Sequence, residues 1–365
     1  MAAFQDFYAG KRVFLTGHTG FKGSWLAEWL CSLGAEVHGY ALDPQPHELL
    51  FDQLGLGARL ASDTRADLAD RPALAAAIAK AQPEVVLHLA AQPLVRLSYE
   101  IPVETFATNI MGTAHVLDAV RVLAHPCAVV CVTTDKCYEN REWLHAYREE
   151  DAMGGHDPYS ASKGAAELVI SSYRRSFFPA SVPVKLASAR AGNVIGGGDW
   201  AVDRIVPDCI RALRKGEPIH VRNKVATRPW QHVLEPLSGY LHLAASLTTS
   251  PRSGELASAF NFGPQLTSNR TVADLVDALV KHTGGTWLDA SDPAAPHEAS
   301  KLNLAIDKAF HLLQWQPVWN FGETIAQTAG WYLAEGSGGS PLEATRSQIT
   351  AYQTAAASRH LAWAC

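Results

Sequence analysis

The sequence predicts an α/β protein: a doubly wound parallel sheet with a smaller, interleaved C-terminal lobe. Three observations lead there. Short apolar runs, among them Val13-Phe-Leu15, Val85 to Ala91, Ala128 to Val132 and Val184 to Ala189, have the length and β-branched content of strands buried on both faces. Segments of helical periodicity alternate with them, the order that produces crossover units and parallel pairing. A glycine-rich turn, Gly17-His18-Thr-Gly20-Phe21-Lys22-Gly23, joins the first run to the first helical segment.

That turn organises the rest. Glycine takes positive φ and lets a phosphate approach the backbone. The free N–H groups and positive dipole end of the following helix favour a pyrophosphate. The spacing is G-x-x-G-x-x-G, a variant of the dinucleotide fingerprint G-x-G-x-x-G. Trp25, Leu26, Trp29 and Leu30 then recur at helical spacing.

Composition bounds the classes. At 365 residues the chain suits two lobes, and 47% hydrophobic residues can fill a sizeable core. With 18% charged residues it does not read as disordered. A net charge of −5 argues against nucleic-acid partners. No run of about 18 apolar residues is present to span a membrane. The opening Met-Ala-Ala-Phe-Gln-Asp-Phe-Tyr lacks the regions of a signal peptide. Six cysteines, at 31, 127, 131, 137, 209 and 365, form no C-x-x-C and no zinc spacing, so no metal is expected. Reduced thiols in a cytoplasmic protein are the simple reading.

In chain order, Ala35 to Leu42 reads as the second strand. A carboxylate near its end would hold the adenosine ribose. The simplest position is Ala41, so Asp43 is the candidate, with a plain Asp-Pro turn as the alternative. An acidic residue with no arginine cluster favours NAD over NADP. Residues 44 to 62 read as loop and short helix. Asp67-Leu68 is placed either against adenine or as the cap of a helix over Leu74 to Lys80. Val85 to Ala91 is a buried strand whose small end, Leu89-Ala90-Ala91, leaves room for a ligand. His88 within it reads as a satisfied core histidine. Pro102 to Leu123 is helical and contains Asn109. Ala128 to Val132 ends in the polar Thr133-Thr134-Asp135-Lys136.

Asp157-Pro158-Tyr159-Ser-Ala-Ser162-Lys163 opens the next helix, with Pro158 suited to its start. Val184 to Ala189 runs into Arg190-Ala-Gly192-Asn193-Val-Ile-Gly-Gly-Gly-Asp199-Trp200, a glycine cluster that marks the main lobe boundary. Residues 203 to 216 form an amphipathic helix with Ile205, Val206, Ile210 and Leu213 on one stripe. Phe260 to Pro264 is a short strand and turn, and Thr271 to Thr283 a helix. Gly336 to Ser340 is a flexible break before a last helix whose role the sequence does not disclose. The expected division is 1–190, with 228–265 returning, for the nucleotide lobe, and 191–227 with 266–365 for the other.

Tyr159 and Lys163 lie four apart on a helix and share a face. A phenol near pKa 10 is a poor base at neutral pH. A neighbouring ammonium and a positive nicotinamide favour the phenolate, which can then take an alcohol proton. The bland alternative is a surface tyrosine beside a solvated lysine.

Gly17 to Gly23, Thr133-Thr-Asp-Lys-Cys-Tyr-Glu-Asn140, Tyr159-x-x-x-Lys163 and Arg190-Ala-Gly-Asn-Val-Ile-Gly196, in that order, resemble the extended short-chain dehydrogenase/reductases acting on nucleotide sugars. The likeness runs from about residue 8 to 335. Within that group, Gly-His-Thr-Gly-Phe-Lys-Gly with Thr-Thr-Asp-Lys is closest to the dehydratases of CDP-glucose. Lys136 stands where the commoner dehydratase pattern has Glu.

The resemblance implies a Rossmann-type sheet binding NAD through Gly17, His18, Gly20, Phe21, Lys22, Gly23, Asp43, Asp67, Leu68, Leu89, Ala90, Ala91, Asn109, Tyr159 and Lys163. It implies oxidation at C4, loss of water across C5 and C6, and hydride return to C6. Tyr159 would be the first base and Thr134 a hydrogen-bond partner of the C4 oxygen. Asp135 would be the acid at C6 if burial raises it, and Lys136 the C5 base if it is neutral. Asn193, Trp200, Arg204 and Arg228 would meet the nucleotide sugar, Arg228 by bidentate phosphate contact. A homodimer through the helices at 102–124 and 159–178 is implied by the likeness alone. The alternatives are a 4-epimerase, a dehydratase for another nucleotide, and a non-catalytic NAD-binding regulator. An epimerase needs no acid–base pair at 135 and 136, and a regulator need not keep Tyr159 and Lys163.

Overall fold

A computed structural model describes residues 3–46, 49–291 and 301–364. The first six strands are β1 (Arg12–Thr16), β2 (Glu36–Ala41), β3 (Ser62–Arg65), β4 (Val85–His88), β5 (Cys127–Val132) and β6 (Val184–Ala191); β3, the polar Ser-Asp-Thr-Arg, was not expected as a strand. A seventh strand, Ala259–Phe262, joins beside β6. The sheet order is seventh strand, β6, β5, β4, β1, β2, β3, and every neighbour is parallel. From β1 the chain winds outward through β2 and β3, then crosses back to β4. That reversal, outside the carboxyl ends of β1 and β4, is the crevice position at which such sheets bind ligands.

Both faces are covered, and the side chains alternate accordingly. Val13, Leu15, Val85, Leu87, Ala128 and Val130 face one core. Phe14, Val86, Val129 and Leu186 face the other. The first core is closed by α1 (Phe21–Ser32) and by the helices Leu234–Thr249, Phe321–Gly336 and Pro341–Ser358. The second is closed by the helices Arg71–Ala81, Gly112–Val120 and Pro158–Phe177.

Two local expectations change. The cap of Arg71–Ala81 is Asp70, which accepts Ala73 N–H at 3.0 Å; Asp67 instead accepts Ala69 N–H at 2.9 Å. The helix expected over Pro102 to Leu123 is broken by a wide π-turn at Ala107–Met111, and Asn109 lies inside that turn. Such turns recur at functional sites.

The last helix, unread from sequence, packs on α1 and the floor of the first core. Trp363 stacks on Phe4 and Tyr352 at 5.2 and 5.7 Å and meets Trp29 edge-on at 6.1 Å. The fully buried Glu28 of α1 is held by Arg59 and by Arg346 of the last helix, the latter at 2.7 Å. Glu235, also fully buried, accepts Val318 N–H at 2.9 Å, Trp319 N–H at 2.6 Å and the Tyr352 hydroxyl at 2.7 Å. Burial pushes its carboxyl up to about 7.

Outside the sheet lie the helices Ile205–Lys215 and Val272–Thr283 and three small strand pairs: Ile219–Val221 with Trp287–Asp289, Thr227–Pro229 with Asn269–Thr271, and Val194–Ile195 with Gln231–His232. Five cysteines are free thiols; Cys365 lies outside the described residues. Among the described residues no helix is long and apolar enough to cross a membrane, and no cluster could hold a metal ion.

Candidate active site

The crevice begins at the glycine turn. Gly17 sits at φ +74°, and a Cβ there would lie 2.7 Å from Ala90 N, so only glycine lets β1 and β4 close up. A Cβ on Gly23 would lie 1.9 Å from Gly17 O. Gly20 is the N-cap of α1 and carries no side-chain cap. The turn is therefore a tight backbone cradle at a helix start, the form that holds a pyrophosphate. Leu89 and Ala90 N–H both donate to Thr16 Oγ1 at 3.1 Å, which fixes the opposite lip.

The side chains around the turn are sorted by the fold. His18 is fully buried, bonded to Asp63 at 2.8 Å and packed against Gly39, so only its backbone belongs to the turn. Phe21 approaches Gly196. The Lys22 ammonium faces Arg204, Asp135, Lys163 and Asp199, and burial and Arg204 hold it down to about 8. Asp43 is 87% exposed beside Arg65, whose guanidinium is held by Asp63 at 2.8 Å and lies over Phe51. Beside Asp43 there is thus an arginine, Arg65, that the sequence did not flag. Asp67 is exposed, while Leu68 is buried against Gly112.

His88 is the satisfied core histidine expected, bonded to Thr16 at 2.7 Å and Thr113 at 3.1 Å; burial lowers it to about 3. Asn109 is buried, not solvent-facing as a polar residue on a helix usually is. Its Oδ1 accepts Gln92 N–H at 2.8 Å, and its Nδ2 donates to Gln92 O at 3.1 Å and Ser162 Oγ at 2.8 Å.

At the carboxyl end of β5 the chain turns through Asp135–Cys137. Thr134 Oγ1 donates to Asp135 Oδ1 at 2.9 Å and accepts Lys136 N–H at 3.3 Å. Asp135 is 2% exposed and abuts Gly192. Lys136 is half-buried. Facing this turn is the start of Pro158–Phe177, capped by Asp157, which accepts Ser160 N–H at 2.9 Å. Ser98 Oγ accepts Tyr159 N–H at 3.2 Å, a support from beyond β4 that nothing in the sequence marked.

Tyr159 is 8% and Lys163 7% exposed. Burial raises the phenol most; the Thr134 hydrogen bond and Arg204 lower it, while Asp135 and Asp157 raise it. Without a bound cation the phenol therefore stays protonated at neutral pH. Burial holds the Lys163 ammonium down to about 8, against the nearby Glu167 carboxylate.

Beyond the site, Arg204 Nη1 donates to Asp199 at 2.9 Å while its charge reaches Tyr159 and Lys22. Asn193 follows β6, half-buried. Arg228 lies in Thr227–Pro229, opposite Arg270. Trp200 is packed in the core against Tyr332 at 5.1 Å and under Arg214 at 4.6 Å, which gives its ring a structural setting. The structure thus brings Thr134, Asp135, Tyr159, Lys163, Lys22 and Arg204 together, and leaves the His18, Asp43 and Trp200 side chains apart from them.

The chain belongs to the GDP-mannose 4,6 dehydratase family, whose model matches residues 14–328. More particularly, it is 48% identical over 357 residues to the CDP-glucose 4,6-dehydratase of Salmonella typhimurium, covering 96% of this chain and 98% of that one. Among solved structures it resembles DesIV, a dTDP-glucose 4,6-dehydratase from Streptomyces venezuelae solved with NAD bound (TM-score 0.75, 21% identity, 88% of this chain and 99% of that one). It also resembles the UDP-glucose 4-epimerase of Thermotoga maritima (TM-score 0.73, 20% identity, 89% and 99%). These two likenesses confirm the doubly wound, Rossmann-type fold.

Proposed function

We propose that this protein is an NAD-dependent hydro-lyase that converts CDP-glucose to CDP-4-dehydro-6-deoxyglucose. The observation that carries this is the meeting of the Thr134-Asp135-Lys136 turn with Tyr159 at the mouth of a glycine cradle. The cradle of Gly17, Gly20 and Gly23 and the uncapped start of α1 fit a dinucleotide, with Leu89 to Ala91 on the opposite lip. NAD⁺ held there would supply the hydride acceptor for C4, the hydride donor for C6 and a positive charge favouring the Tyr159 phenolate.

The chain's own groups do the rest. Tyr159, poised protonated until a cation arrives, takes the C4 hydroxyl proton as phenolate. Lys163 on the same helix face supports that charge. Thr134 holds the C4 oxygen. The new ketone acidifies C5–H; Lys136 removes that proton and gives one back to C5 once the hydride has reached C6. Asp135, buried beside Gly192, gives a proton to the departing C6 hydroxyl. Asn193, Arg204 and Arg228 meet the diphosphate; Arg204 is also near enough to favour the phenolate.

On this reading the sugar nucleotide sits between the sheet and the lobe expected over 191–227 and 266–365, of which the helices Phe321–Gly336 and Pro341–Ser358 pack against the sheet's own first core. Free thiols at Cys31, Cys127, Cys131, Cys137 and Cys209 suit a reducing, cytoplasmic setting. Val103, Phe106 and Met111 on one helical stretch and Leu168 on the next are exposed, and support a homodimer through those helices.

The test is incubation with NAD⁺ and CDP-glucose in heavy water, with the dTDP, GDP and UDP sugars in parallel. The expected product is a 4-keto-6-deoxy sugar nucleotide with deuterium at C5, formed fastest from CDP-glucose. Inverted C4 with C6 intact would make the protein an epimerase, and no turnover would favour a regulator.

A further inference from the structure

We infer that Glu167 is a positioning residue for this reaction: from one turn beyond Lys163 its carboxylate sets the surroundings of that amine and fixes the strand end that carries Thr134 and Asp135. This rests on the roles given to Tyr159 and Lys163 above.

Glu167 lies one helical turn beyond Lys163, as Lys163 lies one turn beyond Tyr159. Its carboxylate is 4% exposed at the junction of three elements. Oε1 accepts Thr133 Oγ1 at 2.5 Å from the end of β5. Oε2 accepts Ser188 Oγ at 2.8 Å and Arg190 Nη2 at 2.9 Å, both from β6. Thr133 directly precedes the catalytic turn, and its N–H donates to Ala189 O at 2.8 Å. Arg190 in turn donates to the Tyr138 hydroxyl at 2.7 Å and Glu149 O at 2.9 Å. One carboxylate therefore joins the helix of Tyr159 to the strand end of Asp135.

The groups facing the Lys163 ammonium come from every neighbouring element. They are Glu167 on its own helix, Cys131 of β5, Cys137 on the following turn, Lys22 of α1 and His88 of β4. The buried thiols are pushed up and stay neutral, His88 is neutral, and Lys22 is a cation. Glu167 is the anion of this group.

A buried Glu–Arg pair is weak evidence for stability, because apolar replacement of both partners is often neutral or better. That separates the two roles. If the pair only holds the fold, neutralising both partners restores everything. If Glu167 sustains the Lys163 charge, the fold returns but the titration does not.

The experiment follows the Lys163 amine in the full-length protein. Competitive acetylation with acetic anhydride across a pH series, read by peptide mass mapping, gives its midpoint without any substrate. Glu167→Gln and Glu167→Gln/Arg190→Met should each lower that midpoint by about one pH unit. The basic limb of kcat/KM on CDP-glucose should move with it, and Glu167→Asp should keep the wild-type midpoint. The double variant answers if the single one fails to fold. A folded double variant whose Lys163 midpoint equals that of wild type overturns the inference. Wild type that turns over no nucleotide sugar would sink the proposed function while the labelling still reads Glu167.

Discussion

Asn109 Nδ2 donates to Ser162 Oγ at 2.8 Å, tying the π-turn beyond β4 to the helix that carries Tyr159 and Lys163. The same amide brackets both backbone groups of Gln92. Asn109→Ala strands those partners in a buried site. We expect a loss of about 2–4 kcal/mol in urea unfolding and a fall in kcat larger than the change in KM. Unaltered stability would show that water replaces the amide.

Tyr159→Phe removes one hydroxyl from a site whose packing is otherwise kept. The expected loss in kcat is about 10²–10⁴-fold with little change in substrate affinity. Reduced nicotinamide should no longer appear in single-turnover absorbance traces.

Lys136→Met separates the steps. C4 oxidation should still begin, seen as reduced nicotinamide accumulating, while solvent deuterium no longer enters C5. A variant that still exchanges C5 at the wild-type rate would move the base to another residue.

Glu235 gives the fold a pH slope of defined sign. Its carboxyl is raised to about 7 in the folded protein by burial. The neutral form is thus favoured by folding, and its contribution is complete below the unfolded value near 4.3. It is lost as pH rises toward about 7. The site alone should cost about 3 kcal/mol between those limits. Denaturation at pH 5 and 8 should show the decline, and Glu235→Gln should flatten the difference.

Trp363 is 1% exposed and contacts Phe4, Trp29 and Tyr352. Trp363→Ala should cost about 3–5 kcal/mol in chemical unfolding. A loss under about 1 kcal/mol would mean that the aromatic cluster closes over the gap.

The strands were legible because burial on both faces writes itself as unbroken apolar runs at β1, β4, β5 and β6. The glycine turn and Tyr159-x-x-x-Lys163 were legible because their geometry is local. His18 marks the limit of a local motif: the turn places its backbone, but Gly39 and Asp63, distant in sequence, decide where the ring goes. Asn109 was named through the resemblance alone; its burial was not legible because its partners, Gln92 and Ser162, come from other elements. Glu167 did carry a signal, the four-residue step beyond Lys163, although Thr133, Ser188 and Arg190 had to be in place before it meant anything. The last helix was silent because its apolar stripe does not say which surface it covers.

That last helix and the residues after it bear on how the protein is made. Phe4 and Trp29 are synthesised long before Trp363, their partner in the folded protein. Helix α1, which supports the nucleotide cradle, therefore lacks one wall until Trp363 has been made. Its neighbours on the other side, from β4 onward, have their partners much earlier. A nascent chain should become nucleotide-competent only once Trp363 has emerged, so loss of that side chain would be felt far away in sequence, in cofactor retention at the glycine turn.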